Sequence, residues 1–139
     1  MLTQTISEHT IFRILSVLAL VGVFVLSFLP SDSVDPIRLR IGHSVEIGHL
    51  VAYALLVGST MLSIPRQALT LWRGVGIVLA VSLLGLAIEL LQPLVGRTTS
   101  VIDFTENEAG IIGGIAIFRG YFFIERVRIK GGNKRPSGG

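Results

Sequence analysis

The sequence predicts an all-α fold, a polytopic membrane bundle of four transmembrane helices. Three observations predict it. The 139 residues are 50% hydrophobic and only 15% charged, whereas soluble domains average about 25% charged. Mean hydropathy is +0.73. The apolar residues gather into four runs, each close to the roughly 20 residues that a helix needs to cross hydrocarbon. Those runs and their short connections take up nearly the whole chain, which leaves no room for a soluble domain.

The first run covers about 11–29. It is apolar after Arg13, and Pro30-Ser31-Asp32 ends it. A cleaved signal peptide is the competing reading. The run is long for that, and Phe28-Leu29-Pro30-Ser31 lacks an A-x-A-like site, so an uncleaved helix is expected. Asp35-Pro36 favours a turn in the polar connection, and Ile37–Ile41 alternates, as an extended or interfacial segment would. The second run, about 44–64, is polar only at its start, beside His43, Glu46 and His49, and stops at Pro65. The third, about 71–92, opens near Trp72, a suitable interface anchor, and ends in Glu89, Gln92 and Pro93. The fourth, about 101–124, begins with Asp103, Glu106, Asn107 and Glu108 and becomes apolar and Gly-rich. The expected domain is therefore 1–125, followed by a basic, Gly-rich, disordered tail over 126–139.

Cysteine is absent, which excludes disulfides, thiolate catalysis and Cys-ligated metal centres. The net charge of +3 matters less than its distribution. An even number of spans puts both termini on one side. That side holds Arg13, Arg66, Arg73, Arg119, Arg126, Arg128, Lys130, Lys134 and Arg135. The other holds Arg38, Arg40 and Arg97. The positive-inside rule makes both termini cytoplasmic. The pattern speaks for membrane orientation and not for a nucleic-acid partner.

The polar run ends then meet at the outer side. On a helix, residues three and four apart share a face. Glu46, His49 and Tyr53 form one row; Ser82, Gly85, Glu89 and Gln92 a second; Asp103, Asn107, Gly110 and Gly114 a third. Arg97 adds a cation from the intervening loop. Ionisable groups near hydrocarbon are costly, so a convergent set is a candidate site. Each residue also has a structural reading. Ser100-x-x-Asp103 fits a capping box. Glu89 and Arg97 fit an ion pair. His49 fits an interhelical donor, and Tyr53 an interface aromatic. Glu106 and Glu108 read as solvated first-turn acids. Gly110-x-x-x-Gly114 lets a helix approach closely, within the bundle or from an oligomer or membrane partner.

No cofactor is indicated. His43-x-x-Glu46-x-x-His49 does not present two histidines as H-E-x-x-H does, so no metal is expected. Nucleophile-elbow, phosphate-loop and dinucleotide fingerprints are absent.

Gly48-His49-Leu50-Val51-Ala52-Tyr53-Ala54-Leu55-Leu56 is similar to the G-H-F-x-A-Y-x-L-L stretch of VanZ-like membrane proteins. Glu89-x-x-Gln92, Gly96-Arg97, Ser100, Asp103, Asn107, Gly110 and Gly114 resemble that family's second signature. The likeness spans roughly 42–117; Glu46 departs from it, standing where the family often carries a basic residue. The resemblance implies a small bacterial envelope protein of the cytoplasmic membrane. The family takes its name from a member linked to teicoplanin resistance, so an effect on glycopeptide susceptibility is one expectation. A membrane lipid partner, of the polyprenyl-phosphate-linked kind, is another.

Three functions follow. The first is an outer-leaflet pocket for a polar or anionic lipid headgroup, lined by His49, Tyr53, Glu89, Gln92, Arg97, Asp103 and Asn107. The second is an enzyme on an envelope lipid, with catalytic candidates His49, Glu89 and Asp103. The third is a non-catalytic subunit whose cluster serves packing. Four short helices without internal repeats make a transporter acting alone a poor fit.

The orientation is directly testable. A reporter active only outside the cytoplasm is expected to work after Pro36 and to stay silent at Gln67 and at the C-terminus. The reverse pattern would move the cluster to the inner leaflet.

Overall fold

Ser7 and Thr70 each turn a side-chain oxygen to a backbone N–H three residues on, Thr10 and Arg73, both at 3.3 Å. These caps satisfy donors that a helix start leaves open, and they begin the first and third of four long helices. The computed structural model describes residues 7–29, 44–97, 99 and 101–132, without the side chains of 44–46 and 129–132. In order, α1 is Glu8–Phe28, α2 Ser44–Leu62, α3 Leu71–Leu91 and α4 Val101–Gly132. A single 3-10 turn, Gln92–Val95, follows α3. No strand occurs among the described residues. The expected turn at Asp35-Pro36, the segment Ile37–Ile41, His43, Ser100 and the last seven residues of the tail lie outside them.

The third helix ends at Leu91, within a residue of the expected run, and a single turn through Pro93 follows it. Proline needs no N–H in the first positions of a turn, so the backbone tightens into 3-10 geometry through Pro93. The tail does not leave the helix at Glu125: α4 runs on to Gly132, through Arg126, Arg128 and Lys130.

Two helical stretches are long and apolar enough to cross a membrane, Glu8–Phe28 and Leu71–Val95. The apolar part of α2, Ile47–Leu62, is shorter. The side chains of the two long stretches point mostly outward: Ile14, Val17, Leu18, Val21 and Val25 on α1 and Leu79, Leu83 and Leu90 on α3 are exposed. An apolar core helix of a soluble protein would hide such a face.

The most extensive contact is between α2 and α4, followed by α1 with α2; α3 packs less fully on both α2 and α4. The α2–α4 contact depends on missing side chains. A Cβ on Gly110 would lie 2.5 Å from Leu50 O and 2.9 Å from Tyr53 Cβ. One on Gly114 would lie 2.6 Å from Ala54 O and 2.9 Å from Val57 Cβ. The glycine face expected to admit a close neighbour therefore meets α2 of the same chain. Around it pack Val23, Tyr53, Leu56, Val57, Met61, Val81, Ile88 and Ile111. Ser16 and Thr60 join α1 to α2 by a 2.6 Å hydroxyl contact.

Adding a methyl at Gly114 must push two backbones apart. Gly114→Ala is expected to cost about 1–3 kcal/mol, read as a lower thermal midpoint in detergent. Gly76→Ala meets nothing within 4 Å and is expected to be neutral or up to about 1 kcal/mol stabilising, from helix propensity. Equal effects at the two positions would contradict the close approach.

Candidate functional site

Gly96 determines how the loop after α3 is aimed. It sits at φ 77°, ψ 16°, a left-handed conformation that costs a residue with a Cβ. Its N–H closes the 3-10 turn on Gln92 O and Pro93 O. The next N–H, of Arg97, donates to Gln92 O at 3.2 Å. The reversal carries the guanidinium to α1, where Nη1 donates to Leu26 O at 2.9 Å. Leu26 is a partner that the sequence did not point to. Thr99 Oγ1 then donates to Glu89 O at 3.2 Å, tying the loop back to α3.

Behind this loop, polar side chains from three helices are buried. His49 is 5% exposed and Tyr53 0% on α2, Glu89 is 2% at the end of α3, and Asn107 is 1% on α4. Gln92, in the 3-10 turn, is 0% exposed. Gly85 brings two of them together. The position of its absent Cβ is 3.2 Å from Tyr53 Oη and 3.6 Å from Asn107 Nδ2. Asn107 also adjoins the His49 ring, and the charges of Arg97 and Asp103 bear on that ring. Glu89 and Glu108 both act on the Tyr53 hydroxyl. The cluster thus gathers His49, Tyr53, Glu89, Gln92 and Asn107 in the buried part of the bundle, with Tyr53 and Asn107 meeting at Gly85.

Several buried atoms in it make no hydrogen bond to any described residue: Tyr53 Oη, His49 Nε2 and both amide atoms of Gln92 and Asn107. Buried polar atoms are ordinarily partnered by protein, water or ligand. Amides and a phenol offer donors and acceptors together. Arg97 and Asp103 are half-buried at the rim. The side chain of Glu46 lies outside the described residues.

Two participants were not expected. Glu108, read from sequence as a solvated acid, is half-buried and accepts a 3.1 Å hydrogen bond from Ser82 across α3 and α4. It stands three and seven residues before Ile111 and Ile115, on an apolar face, and that spacing was its available signal. Ser27 on α1 is fully buried, with an Oγ that has no described partner. Its signal was weaker, a single hydroxyl late in an apolar run. Glu106 is also half-buried. Among the described residues, no three His, Cys, Asp or Glu side chains are grouped so as to hold a metal ion.

No family model, curated protein or solved structure matches the chain.

The loop geometry can be tested by stability. Gly96→Ala is expected to cost about 1–2 kcal/mol from left-handed strain. Arg97→Ala is expected to cost about 1–3 kcal/mol for loss of a charged donor to a part-buried carbonyl. Because both hold one loop, the double variant should lose less than the sum. Additive losses would mean that Gly96 does not aim Arg97.

Proposed function

We propose that this chain is a VanZ-like protein of the bacterial cytoplasmic membrane, with four spans, both termini cytoplasmic, and an outer-leaflet site for a phosphate-bearing lipid headgroup. One observation carries the reading: Tyr53, Gln92 and Asn107, from α2, the turn after α3 and α4, bury hydrogen-bonding atoms that have no partner among the described residues. Such atoms are costly in a medium without water, and a headgroup rich in oxygen would satisfy amide and phenol donors at once. Arg97 stands at the rim and retains guanidinium donors beyond the one given to Leu26 O. Its planar fork suits phosphate. The outward apolar faces of α1 and α3 agree with surrounding lipid.

Glu89, Asp103 and Glu108 would repel an anion, so the headgroup is held by the neutral amides and the rim cation. Ser82 engages one oxygen of Glu108, and the other, Oε1, is buried without a partner among the described residues, so this acid must be protonated or cation-paired when the headgroup binds. A second reading, a polar lock between helices with no ligand, is favoured by the depth of the cluster, since Gln92 is 0% exposed. The enzymatic alternative rests on His49, Glu89 and Asp103 alone.

A lipid with a photoreactive phosphate headgroup separates these readings. Crosslinks are expected on the α2 segment around His49 and on residues 89–97. Arg97→Ala should weaken them about tenfold or more, the loss of one charge-assisted contact. Labelling that is equal for phosphate and choline-only probes, and unchanged by Arg97→Ala, would leave the polar lock. Conversion of the bound lipid, lost in Glu89→Gln, would instead favour the enzyme.

A further inference from the structure

The end of the bundle opposite the polar cluster holds a second arrangement. Arg66, in the α2–α3 connection, and Arg119 and Arg126, on α4, line one open cleft of about 610 Å³. Its apolar floor includes Phe118, Phe122 and Phe123, and no carboxylate lines it. Arg119 and Arg126 are seven residues apart, two turns along one face. Arg66 lies over the Phe122 ring, its guanidinium carbon 5.0 Å from the centroid. That stacking fixes the cation through its face and leaves its N–H edges available. Two acids, Glu8 and Glu125, line an adjoining cleft that Arg66 and Arg126 also border, and Glu8 accepts a 3.0 Å hydrogen bond from Tyr121.

The cleft does not end at the arginines. Arg66, Phe118 and Arg119 are shared with an apolar groove of about 720 Å³ between α3 and α4. On α3 the groove is lined from Leu71 through Val75 and Val78 to Leu79. That stretch rises about 12 Å at 1.5 Å per residue, close to the ~15 Å depth of hydrocarbon in one leaflet. A free phosphate would use the arginines and leave the groove unexplained. A neutral lipid would use the groove and leave the grouping of three cations at its mouth unexplained.

We propose that this end of the molecule is a binding site for an anionic phospholipid of the leaflet facing the termini. Its phosphate lies among Arg66, Arg119 and Arg126, and one acyl chain lies in the groove between α3 and α4. The inference rests on the membrane reading but not on the polar cluster around Tyr53.

Native mass spectrometry of the full chain, released from detergent with phosphatidylglycerol or phosphatidylcholine of matched chains, tests it. Phosphatidylglycerol is expected to be retained about tenfold better, the scale of one or two charge-assisted contacts. Arg119→Gln with Arg126→Gln should reduce it to the phosphatidylcholine level. Arg128→Gln, outside the cleft, should change nothing. Val78→Trp keeps every cation but fills the groove, and should also weaken retention. A phosphatidylglycerol carrying an acyl-chain diazirine should label residues 71–79 and 115–123 in wild type and in Arg97→Ala alike, which keeps this site distinct from the outer one. Equal retention of the two lipids, an equal loss in Arg128→Gln, or displacement of the lipid by millimolar inorganic phosphate would overturn the proposal.

Discussion

The close approach of α2 and α4 governs the rest of the molecule. Gly110 and Gly114 bring the α4 backbone against Leu50, Ala54 and Gly58 of α2. No side chain larger than hydrogen fits at those positions without moving a carbonyl. In hydrocarbon this kind of contact has special weight, because burying apolar surface against protein gains little over burying it in lipid. Helix association there relies on packing and on interhelical hydrogen bonds. Small residues supply the first, and they also decide where the second can be built. Gly110 admits Tyr53 at the helix crossing, and Gly85 on α3 leaves room for its hydroxyl beside Asn107. The polar cluster exists in the space that glycines leave.

The chain is thus arranged with its polar groups inside and much of its apolar surface outside. Val17, Leu18, Leu83 and Leu90 face outward while Gln92, Glu89 and Asn107 are buried. In water this would be an unstable distribution. Surrounded by lipid it is the economical one, since each buried polar atom needs a partner and only protein or a bound molecule can provide it. Exposed charges, among them Arg66, Arg119, Arg126 and Arg128 together with Glu8 and Glu125, gather toward the end of the bundle where α1 begins and α4 finishes.

The helical class was legible because its signals are local. Apolar runs and the prolines that end them, such as Pro65 after the second, mark helices without knowledge of their neighbours. The continuation of α4 past Glu125 was not legible, because the tail's glycines and cations argue against an isolated helix while its attachment to a long preceding one favours propagation. The rows of polar residues at helical spacing pointed to His49, Tyr53, Glu89, Gln92 and Asn107, all of which are buried. They could not give the partners, which depend on how one helix is rotated against another. Glu108 was assigned to solvent by its place in a first turn, and only the α3–α4 contact shows that Ser82 reaches it. Arg97 also donates to a backbone carbonyl on α1, a partner the sequence reading did not include. A carbonyl acceptor leaves no trace in residue type, so no spacing could have announced it.

These partners explain why the cluster sits where it does. Helix α3 packs less fully on α2 and α4 than those two pack on each other, and its outer face is apolar and exposed along most of its length. Packing alone therefore holds it less firmly. Its recorded polar ties are concentrated toward its end: Ser82 to Glu108, Thr99 to the carbonyl of Glu89, and the Arg97 loop to Leu26. The first reaches α4, the second closes the loop on α3 itself and the third reaches α1, and hydrogen bonds gain strength where the local dielectric is low. A ligand that completed the unpartnered atoms of Tyr53, Gln92 and Asn107 would add its contacts at the same seam. Binding there would tighten the least firmly packed helix of the bundle, so occupancy of such a site would be coupled to the position of α3.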